Sequence, residues 1–379
     1  MKKTDRLGLR TWLEIDKKAI AHNYKVFRAL ISPQTKMMAV VKSNAYGHNL
    51  FEYAKEMEKL GADWLGVDSV VEGLALRREG CRMPILVLGY TLPEMLAEAV
   101  KNDISLTLSN FDYFKDIAKL PGKDKLAVHL KVNSGMNRQG FAENEMLKVL
   151  RELGKLKDKI KVEGLYTHFA AAKNPSFPAD TRKQMAVFEK WQKALEKAGH
   201  KVLAHAGATS GTMIFPESHY DMVRAGIGIY GLWPSAEVRA YLEPKYKLLP
   251  VLAWKSLIAE TKIIEKGEGV GYDLSERVNR KTKIAIIPIG YWHGYPRALS
   301  SVGSVLIAGE RAKVLGRVCM DMIMVDVTDI KSVKVGDEAT LLGREGKEEI
   351  SADDLALLSG TSCYEIVTRI NPLIKRIYI

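Results

Sequence analysis

Between residues 37 and 230 the chain alternates apolar runs of strand length with segments of helical periodicity, and this alternation constrains the fold most. Helical spacing is clear in SVVEGLALRREG, PEMLAEAVKN and DTRKQMAVFEKWQKALEKAGH. The strand candidates, in chain order, are MMAVVK, WLGVD, PILVLGY, ISLTLSN, LAVHLKVN, VEGLYTHFA, KVLAHAG and DMVRAGIGIYG. Eight strands alternating with helices indicate parallel β/α units, so we predict a (β/α)8 barrel of the TIM type.

The sequence pattern changes after the segment LWPS. Short β-rich runs follow, separated by glycine and aspartate turns, and SADDLALLSG is the one clear helical period among them. The β-rich runs include KIAIIPIGY, SVLIAGERAKVLG, MIMVDVT and EATLLG. We therefore predict a barrel over residues 1–240 and a mainly antiparallel β domain over residues 241–379. Residues 1–14, which contain the start of RTWLEID, could instead join the second domain as a strand.

The basic charge of the chain, +12 from 57 Lys and Arg against 45 Asp and Glu, raises the question of nucleic-acid or membrane binding. The lysines are interleaved with acids, as in RELGKLKDKIK, and are not set among exposed aromatic residues. This pattern favours a solvated surface, compatible with a small anionic ligand, over a nucleic-acid partner. Because the longest apolar runs have only strand length, we expect no membrane partner.

The N-terminus and the cysteines bear on the compartment. The first residues are basic, but neither an apolar signal-peptide core nor a small-residue cleavage site follows, so we expect a cytoplasmic protein. Cys81, Cys319 and Cys363 form no CxxC pair, which suits a reducing compartment. The eight histidines include neither an HExxH motif nor a tight Cys/His cluster, and we expect no metal site.

Several predicted strands end in reactive or polar side chains. These are Lys42, Lys131, His168, His205 and Arg224. Functional residues of a (β/α)8 barrel lie at the carboxyl ends of its strands, so the recurrence predicts one shared site. Taken singly, a strand-end lysine is more often a solvated charge and a strand-end histidine is often a core residue; we interpret His205 as structural.

The segment GIGIYG, residues 226–231, formally matches the GxGxxG motif of dinucleotide-binding sites. No clear acidic residue follows at the expected distance within a βαβ unit, which disfavours that interpretation. Glycine N–H groups after a late barrel strand are well suited to a phosphate. A strand-end lysine together with such a site suggests pyridoxal phosphate (PLP), an aldehyde cofactor that a lysine holds as a Schiff base.

These residues and their order resemble the alanine racemase family of fold-type III PLP enzymes. The segment AVVKSNAYGHN is similar to the PLP-lysine motif of that family, and further family motifs follow in the same order over essentially the whole chain. The further motifs are HLKVNSGMNRQGF, GLYTHFA, DMVRAGIGIYG, IPIGYWHGYPR, GRVCMDMIMVDVT and TSCYEIVTRINP.

The resemblance implies an isomerase that interconverts L- and D-alanine and supplies D-alanine for peptidoglycan. Lys42 would form the internal aldimine with PLP and serve as one catalytic base, and Tyr272 would be the second base. Tyr272 falls in the predicted β domain, where the family arrangement has it reach the active site of a partner subunit. A head-to-tail homodimer acting on a small amino acid is therefore implied.

The same resemblance implies the other site contacts. Arg224 would face the pyridine nitrogen, and His168 would lie near the cofactor. Arg138 would approach the phenolic oxygen and, with Met320, the substrate carboxylate. Lys131, which is often carbamylated in the family, would hold Arg138. The phosphate would be bound by Tyr46, Tyr364, the N–H groups of Gly226 and Ile227, and the hydroxyl of Thr209 or Ser210.

The sequence departs from the family pattern in several motifs. HAGATSGT, residues 205–212, replaces an Asn-Ser pair and leaves Thr209 and Ser210 as alternatives. GYWHG replaces GYADG and places Trp292 and His293 near the entrance motif. KVNSGMNR replaces KVDTGMGR, and AAKNPSFPAD stands where acids usually follow THFA. A broader racemase acting on serine, lysine or arginine therefore stays an alternative to one for alanine.

A rival from another functional class is a non-catalytic PLP-binding protein of cofactor homeostasis. Such proteins use a similar barrel but lack the β domain, which here carries Tyr272 and Tyr364. PLP decarboxylases share both domains, but their expected motifs do not replace GRVCMD. The motifs favour the racemase.

Overall fold

The computed structural model describes residues 6–122 and 124–379. Its chain divides into two compact units. The barrel unit comprises Ile20–Ala45 and Leu50–Leu249. The β unit comprises the described residues up to Ala19, the short segment Tyr46–Asn49 and Pro250–Ile379.

Strands and helices alternate through the barrel unit. Strand β1 (Thr11–Ile15) precedes it, and the barrel strands are β2 (Lys36–Val40), β3 (Trp64–Val67), β4 (Ile85–Val87), β5 (Ser105–Leu108), β6 (Leu126–Lys131), β7 (Ile160–Tyr166), β8 (Leu203–His205) and β9 (Met222–Ala225). The helices are Lys17–Leu30, Leu50–Leu60, Val70–Arg78, Leu96–Lys101, Phe111–Ala118, Met146–Lys155, Ala179–Lys197, Thr209–Ile214 and Ala236–Leu242.

Among the described residues, these eight strands form one parallel sheet in the order β8-β7-β6-β5-β4-β3-β2-β9. Backbone bonds also join its two ends: the N–H of Asp221 donates to the carbonyl of Ala204 at 3.0 Å, and the N–H of Arg224 donates to that of Gly207 at 2.9 Å. The sheet therefore closes on itself, which confirms the predicted (β/α)8 barrel.

Apolar side chains from neighbouring strands pack together within the barrel unit. Met38, Trp64, Leu86 and Met222 form one buried cluster, with one residue from each of β2, β3, β4 and β9. Burying each such side chain contributes about 1.5–3 kcal/mol. The parallel pairing of β2 with both β3 and β9 brings these residues into contact.

The β unit is built mainly from antiparallel strands. They are β10 (Leu252–Leu257), β11 (Glu260–Ile264), β12 (Gly269–Val270), β13 (Glu276–Arg277), β14 (Thr282–Ile287), β15 (Ser304–Ile307), β16 (Glu310–Leu315), β17 (Ile323–Asp326), β18 (Glu338–Glu345), β19 (Glu348–Ile350) and β20 (Lys375–Tyr378). Its main sheet runs β11-β14-β17-β16-β15-β18-β10-β1-β20, with β19 beside β18, and β12 pairs with β13. The predicted antiparallel character is confirmed.

The N-terminal strand lies inside this second sheet. Strand β1 pairs antiparallel with β10 and parallel with β20, so RTWLEID contributes a strand between two C-terminal ones. Trp12, Leu13 and Ile15 are fully buried. Helix Ala352–Ser359 matches the predicted SADDLALLSG helix. Helix Cys363–Thr368 was not predicted, because its six residues are too few to show a helical period.

The segment Tyr46–Asn49 is tied to β20 within the β unit. Nε of Arg376 donates to the carbonyl of Gly47 at 2.9 Å, and the hydroxyl of Tyr378 donates to that of His48 at 2.7 Å. Gly47 has a φ of 85°, and a Cβ there would lie 2.1 Å from the carbonyl oxygen of Val367. Only glycine allows this close backbone approach.

Within the part of the chain that the structure describes, no helix is both long enough and apolar enough to cross a membrane.

Candidate active site

Lys42 lies just beyond β2 in a turn of left-handed backbone. The strand ends at Val40, so the predicted strand MMAVVK stops before its lysine. Ser43, Asn44 and Ala45 have φ and ψ between 45° and 55°. A left-handed conformation costs an L residue about 1–2 kcal/mol. Surrounding contacts must therefore hold this turn.

The amine of Lys42 faces an acid on the neighbouring strand end. Its Nζ lies 3.5 Å from Oδ1 of Asp68, which directly follows β3. The N–H of Val41 donates to the carbonyl of Gly66 at 2.8 Å and keeps the end of β2 aligned with β3. Both charged side chains keep contact with solvent, so the ion pair is weak. Lys42 thus presents its amine at the carboxyl end of the barrel, where such folds place functional groups.

Arg224, on β9, is buried and held by several acceptors. Its Nη1 donates to Nδ1 and to the carbonyl of His205, at 2.9 and 3.0 Å. Its Nη2 donates to the carbonyls of Thr167 and Ala206 at 2.7 and 2.8 Å, and lies 3.5 Å from Nδ1 of His168. Burial lowers the pKa of Arg224 to about 10, which leaves it charged at neutral pH. Nε is its one remaining donor, with no partner among the described residues.

His205 connects Arg224 to a second buried histidine, His129. Nε2 of His205 lies 2.8 Å from Nδ1 of His129. Because an arginine only donates, Nδ1 of His205 accepts, and its Nε2 carries the proton that is donated to His129. Burial and the charge of Arg224 lower the pKa of His205 well below its usual range, and burial lowers the pKa of His129 to about 4. His205, interpreted from the sequence as structural, thus contacts a predicted site residue directly.

Gly164, on β7, makes room for the ring of His129. A Cβ at Gly164 would lie 2.2 Å from Nδ1 of His129. The pairing of β6 with β7 also shifts register between Val128 and His129. Nε2 of His129 is buried and has no partner among the described residues. The barrel is therefore built around an imidazole at this point, a feature that was not predicted from the sequence.

A small opening in the barrel unit brings together Lys131, Arg138 and His168. Its lining is Lys131, Val132, Asn133, Met136, Arg138, Gln139, Thr167 and His168. Burial lowers the pKa of Lys131 well below its usual range, and the charges of Arg224 and Arg138 add to this effect. Burial also lowers the pKa of His168 well below its usual range, and the charges of Arg224 and Lys131 add to this effect. Both side chains therefore favour their neutral forms.

Tyr166, at the end of β7, contacts two of these basic groups. Its ring centroid lies 4.0 Å from Nζ of Lys131 and 5.3 Å from the guanidinium carbon of Arg224. The ring stacks on His205, and its hydroxyl lies 2.7 Å from Oγ1 of Thr107. Burial raises the pKa of Tyr166 to about 12. Tyr166 and Thr107 were not predicted as site residues, although the strand-end position of Tyr166 in GLYTHFA was an available signal.

The loops after β8 and β9 meet at Thr209. Its Oγ1 accepts hydrogen bonds from the N–H of Gly226 at 3.1 Å and from that of Gly228 at 3.4 Å. Ile227 begins a 3-10 turn, so its N–H belongs to the first turn, where donors lack partners within the helix. Ser210 follows Thr209 and is buried. The four predicted phosphate-binding residues of the barrel unit are thus close in space.

Within the β unit, the rings of Tyr46 and Tyr364 are neighbours, with centroids 6.2 Å apart. Burial raises the pKa of Tyr46 to about 12. Burial and the proximity of Tyr46 raise the pKa of Tyr364. Both phenols therefore keep their protons at neutral pH and can donate them in hydrogen bonds.

Tyr272 and Met320 are exposed residues of the β unit. Tyr272 lies between β12 and β13 and is 68% exposed, and Met320, between β16 and β17, is 54% exposed. Asp273, next to the tyrosine, has a φ of 58° and pairs with Arg317 at 2.8 Å. The turn that carries Tyr272 thus bears a solvent-exposed ion pair, and the tyrosine side chain projects outward.

In residues 6–122 and 124–379, no group of three or more His, Cys, Asp or Glu side chains is arranged to hold a metal ion.

Comparisons with known proteins cover both units. A family model for the alanine racemase N-terminal domain matches residues 15–234, and one for the C-terminal domain matches residues 251–378. The alanine racemase of Symbiobacterium thermophilum is 43% identical over 377 residues, which cover 98% of each chain. That of Methanococcus maripaludis is 39% identical over 375 residues, or 97% of this chain and 98% of the relative.

Solved structures give the same result. The alanine racemase of Bacillus anthracis with bound L-Ala-P superposes with a TM-score of 0.92 at 35% identity, covering 98% of this chain and 95% of that one. The alanine racemase of Clostridium difficile 630 superposes with a TM-score of 0.91 at 36% identity, covering 98% and 96%. The chain therefore belongs to the alanine racemase family.

Proposed function

We propose that this chain carries out the alanine racemisation of its family with PLP held on Lys42, and with Lys42 and Tyr272 as its two bases. Nε of Arg224 is the observation that supports the cofactor assignment most directly. It is the remaining donor of an otherwise paired, buried guanidinium. Such a donor is available to an acceptor on a molecule bound in the site.

The pyridine nitrogen of PLP would provide that acceptor. Arg224 stays charged and can only donate, so the nitrogen facing it would stay unprotonated. Arginine in this position, in place of a carboxylate, would make the cofactor a weaker electron sink and so limit side reactions. His205 and the carbonyls of Thr167 and Ala206 keep the guanidinium in one orientation for this contact.

The phosphate of PLP would bind where the loops after β8 and β9 meet. The hydroxyl of Thr209 accepts from two N–H groups, so its own hydrogen is available for a phosphate oxygen. Ser210 and the N–H of Ile227 would supply further donors, while the N–H of Gly226, which already donates to Oγ1 of Thr209, would orient that hydroxyl. We assign Tyr46 and Tyr364 to the same phosphate through their protonated phenols. Loss of affinity for PLP in Thr209→Val and Ser210→Ala, measured by titration, would identify which hydroxyl contributes most.

Racemisation needs a proton removed from one face of Cα and returned to the other. When bound, PLP takes up the electron pair that remains after the α-proton is removed. Lys42 would cover one face and Tyr272 the other. With one enantiomer Lys42 takes the proton and the tyrosine returns one; with its mirror image the roles are exchanged.

We further propose a head-to-tail homodimer in which Tyr272 completes the partner's site. Tyr272, Trp292 and Met320 are exposed in the β unit at 68%, 58% and 54%. The N–H of Trp292 donates to the carbonyl of Met320 at 3.0 Å, so their two loops form one surface. The exposed side chains of Trp292 and Met320, grouped in this way, are typical of an interaction surface.

Lys131 is assigned a structural role beside the substrate carboxylate, which Arg138 and Met320 would contact. Its depressed pKa favours the neutral amine, the form that adds to carbon dioxide. In that reaction a bond forms from Nζ to the carbon of CO2, and the nitrogen loses a proton. The resulting anion would hold Arg138. Protein equilibrated with ¹³C-labelled bicarbonate should show a carbamate signal that Lys131→Gln lacks.

Chiral chromatography tests the reaction and its substrate together. Purified chain with PLP is incubated with a pool of L-amino acids, and the D-products are quantified. D-alanine ahead of all others supports the proposal. D-serine, D-lysine or D-arginine in its place would assign the broader specificity, and the absence of any D-product would favour a non-catalytic PLP-binding protein.

The cellular role we propose is the supply of D-alanine for peptidoglycan in the cytoplasm. A bacterial strain that lacks its own alanine racemases and needs added D-alanine should grow without it when it expresses this chain. The Lys42→Ala variant should not restore growth.

A further inference from the structure

The carboxylate of Glu72 joins the turn after Lys42 to the loop after β3. Its Oε1 accepts from the N–H of Asn44 at 3.2 Å, and its Oε2 accepts from the N–H of Asp68 at 2.8 Å. Glu72 lies in the first turn of helix Val70–Arg78, where the helix dipole stabilises a negative charge. One side chain therefore fixes two segments that meet at Lys42.

The first of these segments is strained and needs such a tie. Ser43, Asn44 and Ala45 are all left-handed, a conformation that Ser43 and Ala45 disfavour and that asparagine tolerates better. Within the turn, the N–H of Ala45 donates to the carbonyl of Val41 at 2.8 Å. The bond from Val41 to Gly66 aligns the end of β2 with β3, but neither of these two bonds ties residues 43–45 to the next β/α unit. The bond from Asn44 to Glu72 does, because Glu72 belongs to the neighbouring β/α unit.

The second segment carries the acid that faces the amine. Asp68 lies 3.5 Å from Nζ of Lys42 through Oδ1, while its N–H is held by Glu72. We propose that Glu72 is a positioning residue for Lys42: it sets the direction in which the lysine leaves its turn and the place of Asp68 beside it. This inference rests on the proposed role of Lys42 as the lysine that holds PLP.

Glu72→Gln tests the bridge with little change of shape. A carboxylate accepts both N–H groups, whereas a side-chain amide accepts one and turns its own NH2 toward the other. Glu98→Gln is the matched control. Glu98 lies in the first turn of helix Leu96–Lys101, and its carboxylate accepts from Asn102 at the end of that helix.

The measurement is the rate at which Lys42 becomes attached to PLP. Full-length protein is freed of cofactor and mixed with PLP, samples are reduced with borohydride at intervals, and the modified lysine is located by mass spectrometry. In the attachment the bond forms between Nζ and the aldehyde carbon, and the aldehyde oxygen leaves as water. Misplacing a reacting group by about 1 Å costs about a hundredfold in rate, so we expect Glu72→Gln to be about ten- to a hundredfold slower.

Three comparisons separate positioning from loss of stability. Glu98→Gln should react like the parent chain. In Glu72→Gln, kcat for alanine should fall while KM is retained. Ser43→Gly should restore part of the attachment rate to Glu72→Gln, because glycine adopts the left-handed turn without strain. Should Glu72→Gln not fold, Glu72→Asp, whose carboxylate is one methylene shorter, must show the same slowing.

Unchanged attachment in Glu72→Gln, or equal slowing in Glu72→Gln and Glu98→Gln, would overturn the inference. A parent chain that is not modified at Lys42 would instead overturn the proposed function.

Discussion

Nη1 of Arg224 lies 2.9 Å from the ring nitrogen Nδ1 of His205 and 3.0 Å from the carbonyl oxygen of the same residue. One residue thus fixes the guanidinium at two points. The proton positions follow from this contact, because a donor-only arginine makes Nδ1 of His205 an acceptor. The orientation of Arg224, and with it the direction of its remaining donor, depends on a neutral histidine.

Replacing that histidine should loosen the cofactor. His205→Phe keeps an aromatic ring but removes the acceptor, and a hydrogen bond to a charged group is worth about 1.5–3 kcal/mol. We expect PLP affinity to fall by about ten- to a hundredfold. Absorbance titration of cofactor-free protein checks this, with His200→Phe as the control. Equal affinities in the two variants would mean that His205 does not position Arg224.

The buried histidines should make stability depend on pH. The pKa of His129 is lowered to about 4 in the folded state, so between an unfolded value of about 6.5 and pH 4 the unfolded chain binds more protons. The contribution of neutral His129 to folding stability is therefore complete above about pH 6.5 and is lost as the pH falls toward 4. Within this range each pH unit changes the free energy of unfolding by about 1.4 kcal/mol. The total loss attributable to His129 is therefore about 3 kcal/mol.

Denaturant unfolding at fixed protein concentration across pH 4–7 measures this loss. His129→Gln should show a shallower dependence than the parent chain, and His200→Gln the same dependence as the parent. The depressed pKa values of His205 and His168 act in the same direction, so a slope remains in every variant. An identical slope in His129→Gln and the parent would refute the assignment.

Tyr272→Phe should slow both directions equally. Removing one of two acid/base groups costs about 10²–10⁴-fold in rate. L- and D-alanine have equal free energies, so kcat/KM must stay equal in the two directions in every variant. Polarimetry from each enantiomer checks the loss. Exchange of the α-proton with solvent deuterium should persist for the enantiomer that Lys42 deprotonates. Racemisation at the parent rate in Tyr272→Phe would exclude Tyr272 as the second base.

Mixed dimers should recover activity from two inactive chains. In a dimer of Lys42→Ala with Tyr272→Phe, one site lacks both bases and the other has both. If the chains reassort at random, half of the dimers are mixed and half of their sites are active, which gives about a quarter of the parent activity. Subunits are exchanged under mild denaturation and assayed. A mixture that stays inactive would show that Tyr272 serves its own chain.

The barrel and its strand ends could be predicted from the sequence because they depend on repeated, local patterns. Alternating apolar runs predicted each strand of the closed sheet. Lys131 and His168 were predicted to lie close together because strand ends in a barrel share one face, and both line the same opening. The resemblance then added Arg138, which no periodicity would have indicated.

The remaining features depend on contacts between distant residues. Nothing in SNAY predicts left-handed backbone, since Ser43 and Ala45 prefer other conformations and are held there by the fold. The pairing of His129 with His205 crosses the barrel interior, with the residues 76 positions apart. A strand glycine such as Gly164 signals a close approach but not what approaches.

The fit of His129 against Gly164 has a consequence for how this barrel can change. A methyl group at position 164 would overlap the imidazole, whose Nδ1 lies 2.2 Å from the site of that methyl carbon. A mutation at Gly164 is therefore acceptable only after His129 has become smaller, whereas a smaller residue at 129 first leaves a cavity beside the glycine. The two positions should covary among relatives, and a side chain at the equivalent of Gly164 would mark a chain in which the interior histidine pair has been lost.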